Sequence, residues 1–227
     1  MKAAIIGYGK MGRLVEQFAP VYGFDVVAKL DAGDAITRAA LAGADVAIEF
    51  TTPDAAVGNI EALCGLGVPV VVGTTGWTQR LPEVRALVER TGGALVWSPN
   101  YSIGVQVFFR VVAEAARLMA GAPEYEAWAW EIHHSAKKDA PSGTLTKLVE
   151  TMRQAGYGER VDVSSNRAGA HPGTHEIGFD SGADTITLRH TARSREGFAR
   201  GALRAAQWIV GKKGFYEFSE VLFGEAG

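Results

Sequence analysis

The sequence is short of cysteine, of long apolar runs and of excess charge, and each shortage narrows what the chain can be. A single cysteine, Cys64, leaves no intramolecular disulfide to form and fits a reducing compartment. No apolar run approaches the roughly 18–20 residues that a membrane span requires. Met1-Lys2 leads straight into Ala3-Ala4-Ile5-Ile6-Gly7, too short a run for a secretory signal core. The expected location is cytoplasmic, with no membrane partner. Lys and Arg number 23 against 25 Asp and Glu, a formal net charge of −2 without any basic block. That balance argues against a general nucleic-acid binder.

What is present is an ordinary globular composition, 47% hydrophobic in 227 residues, enough for one large domain or two small ones. Ala3–Ile6 reads as a strand, followed by the turn Gly7-Tyr8-Gly9-Lys10-Met11-Gly12. Met11, Leu14, Val15 and Phe18 then mark one helical face, and Phe24–Leu30 reads as a second strand ended by Asp31. This is the order and length of a dinucleotide-binding βαβ unit. Its glycines allow backbone to approach a pyrophosphate at the helix N-terminus, and Asp31 stands where a carboxylate binds the adenosine ribose. Strand-like Val46–Phe50, Pro69–Val72 and Ala94–Trp97 alternate with helical faces led by Thr52-Pro53 and by Leu81. The alternation predicts a Rossmann-like, doubly wound parallel sheet over residues 1–100. Cys64 lies on one of those helical faces and reads as packing, since no local base accompanies it.

Beyond Asn100 the pattern changes. A helix is predicted from Ile103 to Ala120, then a strand over Tyr125–Ile132, then Glu131-Ile132-His133-His134-Ser135-Ala136-Lys137-Lys138-Asp139-Ala140-Pro141-Ser142-Gly143-Thr144. Ser142 is a good N-cap, and Leu145, Leu148, Val149 and Met152 repeat as a helical face to about Arg153. Two imidazoles, two ammonium groups and a helix N-terminus within one stretch read as a proton-handling site for an anionic small molecule. A hydrogen-bonded core histidine pair beside a solvated lysine pair is the plainer reading of the same residue types. Val161–Ser165, His175–Phe179 and Thr185–His190 are further strands, the last two joined by a hairpin at Asp180–Asp184. Strands without intervening helices predict a mostly antiparallel sheet and an α+β second domain over residues 101–195. No metal site is expected: Pro172-Gly173 prevents His171 and His175 from forming a helical pair, and no cysteine cluster completes a set.

The fourteen-residue stretch resembles the signature of dihydrodipicolinate reductases, Glu-x-His-His-x-x-Lys-x-Asp-Ala-Pro-Ser-Gly-Thr, with every specified position met. The opening Gly-x-Gly-x-Met-Gly is similar to that family's Gly-x-x-Gly-x-Met-Gly, one residue shorter. Glu49-Phe50-Thr51, Gly73-Thr74-Thr75 and Ser98-Pro99-Asn100-Tyr101 resemble its cofactor-proximal segments, and Arg167 to His175 resembles a segment near its substrate pocket. The resemblance implies reduction of 4-hydroxy-tetrahydrodipicolinate by NADH or NADPH on the diaminopimelate route to lysine, in a homotetramer built through the second domain. It also implies that residues 196–227 return to the nucleotide-binding domain.

By the same resemblance, His133 is the acid/base group and Lys137 the proton donor. His134, Gly143 and Thr144 bind the dicarboxylate. Gly7, Tyr8, Gly9, Lys10, Met11, Asp31, Gly73, Thr74, Thr75, Ser98, Pro99, Asn100 and Tyr101 bind the cofactor. Asp31 favours NADH, because a carboxylate pairs with ribose hydroxyls and repels a 2′-phosphate; Ala32 stands where many relatives carry arginine, while Lys29 leaves dual use open. The rival readings are another two-domain nicotinamide oxidoreductase and a catalytically silent dinucleotide sensor.

Overall fold

The computed structural model describes residues 1–158 and 160–224. In chain order the elements are β1 (Lys2–Ile6), α1 (Lys10–Phe18), β2 (Asp25–Leu30), β3 (Val46–Glu49), α2 (Pro53–Gly65), β4 (Val70–Val72), α3 (Leu81–Thr91) and β5 (Ala94–Trp97). There follow α4 (Ile103–Met119), β6 (Glu126–His133), α5 (Gly143–Gln154), β7 (Val161–Arg167), β8 (Thr174–Asp180) and β9 (Thr185–Thr191). The chain closes with α6 (Glu196–Ile209), β10 (Gly214–Glu217) and α7 (Phe218–Phe223). It divides into two units, Met1–Ile103 with Glu196–Gly227, and Gly104–Arg195.

The first unit is a six-stranded parallel sheet in the order β10-β5-β4-β3-β1-β2. Its central strands are short and buried throughout, the pattern of strands covered on both faces. One face packs Ala3, Ile5, Val46, Ile48 and Val96 against Val15 and Phe18 of α1 and Ala199, Ala202, Leu203 and Ala206 of α6. The other packs Ala4, Ile6, Ala47, Val70 and Leu95 against Ile60 and Leu63 of α2 and Val84 and Val88 of α3. The alternation of strand and helix lapses once: β2 reaches β3 through turns rather than a helix, anchored by the buried Leu41.

The second unit is a four-stranded sheet, β7-β6-β8-β9. It is mixed: β8 is antiparallel to β6 and β9, whereas β7 runs parallel to β6. The parallel pair follows from α5, which carries the chain back so that β7 starts at the same end as β6. The alternation in β6 faces opposite to the usual assignment. The small residues Ala127 and Ala129 are buried against α4 and α5, whereas Trp128, Trp130 and Ile132 lie half-buried on the other face. The helices supply the bulk on the first face, through Phe108, Val112, Leu145, Leu148 and Met152, so the strand must be small there.

Tyr101 ties the first unit together. Its ring is buried against Phe218 at 4.8 Å between centroids, and its hydroxyl lies 3.0 Å from the carbonyls of both Val72 and Val96. α6 approaches so closely that a Cβ at Gly201 would sit 1.8 Å from the Tyr101 carbonyl oxygen. Gly201→Ala is therefore expected to destabilise the chain by about 1–3 kcal/mol, the usual cost of overpacking, seen as a lowered thermal midpoint. An unchanged midpoint would show that this packing yields freely.

Candidate active site

The carboxyl edge of the first sheet brings the glycine turn together with four other loops. After β1, Gly7 takes φ +93°, and a Cβ there would meet the Phe50 carbonyl at 2.1 Å. A Cβ at Gly12 would stand 2.4 Å from the Gly7 carbonyl, so strand, turn and helix close on each other only with glycine at both positions. Gly9, the N-cap of α1, has open space above it and no side chain to cap the helix. The turn thus leaves backbone donors facing an open space, which fits a pyrophosphate. The neighbouring order of β1 and β3 reverses direction here, the switch point at which open α/β sheets take ligands.

The other loops line the same edge. Asp31, exposed, follows β2, and its backbone N–H donates to the Asp34 carboxylate at 2.8 Å. After β3, Thr51 donates its N–H to Thr74 Oγ1 at 2.7 Å, joining that loop to Gly73-Thr74-Thr75 after β4. After β5, the Asn100 N–H donates to Ser98 Oγ at 3.1 Å, and Asn100 Oδ1 accepts from Ser102 N–H at 2.9 Å. Lys10, Thr75 and Pro99 are exposed, while Tyr8, Met11 and Gly73 are half-buried. Tyr101 spends its side chain on the core, so any part it plays toward a ligand falls to its backbone.

Glu49 belongs to the Glu49-Phe50-Thr51 segment. It is fully buried at the end of β3, hydrogen-bonded by the Thr51 hydroxyl and by Asn59 at 3.2 Å. Burial pushes its carboxyl above the usual range against the opposing effect of the Thr51, Thr74 and Asn59 hydrogen bonds.

In the second unit the geometry centres on Glu131, also fully buried. Strand registry puts Ser165 of β7 and His175 of β8 on either side of it, with Arg167 beside His133 one repeat along. Its Oε1 accepts from the Ser142 N–H at 2.8 Å, Ser165 Oγ at 2.9 Å and the Arg167 guanidinium at 2.8 Å. Its Oε2 accepts from the Ser142 hydroxyl and stands 3.4 Å from His175 Nε2. Ser142 Oγ in turn accepts the Leu145 N–H at 3.2 Å, the cap that starts α5. Burial alone raises the Glu131 carboxyl. Hydrogen bonds from His175, Ser142 and Arg167 outweigh it and hold the group ionised, well below the usual carboxylate range.

His133 is buried with its ring edge-on to His175, centroids 5.1 Å apart. Its Nδ1 lies 3.5 Å from Glu131 Oε2 without forming a hydrogen bond. Burial pushes His133 down to about 4, with Glu131 opposing and the charges of His175, Lys137 and Arg167 adding. The ring is therefore neutral near pH 7. Lys137 pairs with Asp139 at 2.8 Å, and Asp139 is held below its ordinary value by Lys137 first, with the Gly143 backbone also contributing. His134 and Thr144 are half-buried; Gly143, first in α5, is exposed, as is Lys138.

Glu131, His133 and His175 form, among the described residues, a trio whose ligand atoms lie within 4.8 Å of one another. The His171–His175 pair weighed on the sequence does not belong to it. Arg167 and two serine hydroxyls already occupy the Glu131 carboxylate, so a cation there would face a guanidinium. Glu131 is the hydrogen-bonded anchor of this trio, with His133 beside it. Sequence spacing could not reveal it, because Glu131, Ser165, Arg167 and His175 meet only through strand registry.

Two acid-labile windows follow. His133 titrates lower folded than unfolded, so stability falls as pH drops from about 6.5 to about 4. Glu131 contributes stability present above its unfolded value, about 4.3, and lost as pH falls through its lower folded value. In thermal melts across pH, His133→Gln should remove the upper window. Glu131→Gln should remove the lower one and cost roughly 3 kcal/mol at neutral pH, by leaving Arg167 unpaired. Melts unmoved by Glu131→Gln at neutral pH would contradict the anchor.

Two family models cover nearly the whole chain: "Dihydrodipicolinate reductase, N-terminus" over residues 1–101 and "Dihydrodipicolinate reductase, C-terminus" over residues 104–222. A 4-hydroxy-tetrahydrodipicolinate reductase of Archaeoglobus fulgidus is 37% identical, across 98% of this chain and 100% of its own. One from Christiangramia forsetii is 34% identical, across 98% of each. Among solved structures, a dipicolinate-bound dihydrodipicolinate reductase from Paenisporosarcina sp. TG-14 superposes with a TM-score of 0.80 at 22% identity, over 97% of this chain and 98% of that one. The chain belongs to the dihydrodipicolinate reductase family.

Proposed function

We infer that this chain is a 4-hydroxy-tetrahydrodipicolinate reductase of lysine biosynthesis, using a nicotinamide dinucleotide held by the first unit. The observation that supports the reading is the Glu131 anchor, around which His133, His175, Arg167 and the start of α5 meet. When bound, a reduced nicotinamide dinucleotide would supply the hydride for an unsaturated six-membered ring bearing two carboxylates, formed by loss of water from the hydroxylated substrate. Negative charge then develops on the ring, and a positioned acid must quench it.

Lys137 is the proton donor, its ammonium held in place by Asp139. Neutral His133 offers a ring nitrogen that accepts or donates at the ring without carrying a standing charge. His134 contacts the substrate, and Gly143 and Thr144 bind one carboxylate at the N-terminal end of α5, where the helix dipole favours an anion. Asp31 and Asp34 put two carboxylates at the end of β2, which supports NADH as the preferred cofactor. Among the described residues, no helix is long and apolar enough to cross a membrane, and the lone cysteine supports a cytoplasmic site of action.

A homotetramer is part of the same reading, supported by the face of the second sheet that, among the described residues, no helix of its own unit covers. Trp128 and Trp130 lie on that face, with Arg189 over Trp130. Light scattering after gel filtration should give four chains for the wild type and fewer for Trp128→Glu. A monomeric wild type would refute the assembly.

With freshly generated substrate, the purified chain should consume NADH, with a higher kcat/KM than for NADPH. Lys137→Ala and His133→Ala should each lose at least about 10²-fold in kcat, a typical general acid–base contribution. Binding of NADH without turnover would favour a sensor or another substrate.

A further inference from the structure

Lys29, exposed near the end of β2, precedes Asp31 by two residues. Lys29 is the cation of β2, close to the strand end where Asp31 follows. The structure commits it elsewhere: its ammonium pairs with Glu16 of α1 at 2.5 Å and lies 4.9 Å from the centre of the Tyr8 ring. Tyr8, within the glycine turn, donates its hydroxyl to the same Glu16 carboxylate, and Arg13 lies over the ring at 5.1 Å. The turn itself is docked on β2 by the Gly7 N–H, which donates to the Leu30 carbonyl at 2.7 Å. Glu16 therefore joins helix, turn and strand next to the end of β2.

We propose that Glu16 is a specificity-determining residue: by clasping Lys29 and Tyr8 it withholds that ammonium from a 2′-phosphate and leaves the site to the unphosphorylated dinucleotide. This rests on the dinucleotide reading of the glycine turn. Two effects act together. Asp31 and Asp34 repel a phosphate at the end of β2, and Glu16 neutralises the cation that could offset them. The hydrogen bond from Lys29, then that from Tyr8, hold the Glu16 carboxyl below its ordinary value, so the clasp is ionised throughout the neutral range.

The test is equilibrium binding of NADH and NADPH, followed by quenching of tryptophan fluorescence, for wild type, Glu16→Gln, Lys29→Ala and the double variant. Glu16→Gln should tighten NADPH about fivefold, the scale of an exposed ion pair, and leave NADH within about twofold. Lys29→Ala in the Glu16→Gln background should abolish that gain, and thermal melts establish that each variant is folded. Unchanged NADPH affinity in Glu16→Gln, or a gain that survives loss of Lys29, would overturn the assignment while NADH binding upheld the glycine-turn reading. Failure of the wild type to bind either dinucleotide would overturn both.

Discussion

A carboxylate removed from water must be supplied with donors, and the second unit is organised around meeting that requirement for Glu131. Its oxygens take hydrogen bonds from the backbone and hydroxyl of Ser142, from Ser165 and from Arg167, with His175 alongside. Those groups come from the two strands that flank β6 and from the turn that starts α5. Satisfying one charge thus fixes the distance between strands, the cap of the helix and the environment of His133. The chemistry proposed for His133, Lys137 and the end of α5 inherits its geometry from this hub.

The first unit holds a second fully buried carboxyl, and the contrast explains what each does. Glu49 is met by hydroxyls and an amide, neutral donors that do not offset the cost of burial, and its carboxyl is pushed toward the protonated form. Glu131 is met by a guanidinium as well as by hydroxyls, and it stays ionised. The two buried carboxyls shift in opposite directions because their partners differ. Glu49 ties neighbouring loops through its hydrogen bonds with Thr51 and Asn59. An ionised Glu131 balances the positive groups that a dianion attracts.

Local pattern made much of this visible. Apolar runs ended by glycine, the Thr52-Pro53 start of α2 and the Ser142 cap each depend on residues close in sequence, and each lies where the pattern placed it. The histidine–lysine stretch was legible for the same reason. What patterning missed depends on registry. Ser165 and His175 flank Glu131 only because β7 and β8 pair with β6 in one alignment, which no periodicity within a strand reports. The two faces of β6 were ambiguous too, since alternation shows that a strand has two sides and not which side the helices cover. The Glu16–Lys29–Tyr8 clasp joins three elements whose residues look, one at a time, like ordinary surface.

The discontinuity of the first unit bears on how the chain is made. β10 forms the strand beside β5, and α6 covers the face that carries Ala3, Ile5 and Ile48, yet both come from the last part of the sequence. A ribosome therefore releases every residue of the second unit before the first can close its sheet, so the domain begun earlier is finished later. Until α6 and β10 emerge, a bare apolar face and an unpaired β5 edge must be kept from neighbouring nascent chains.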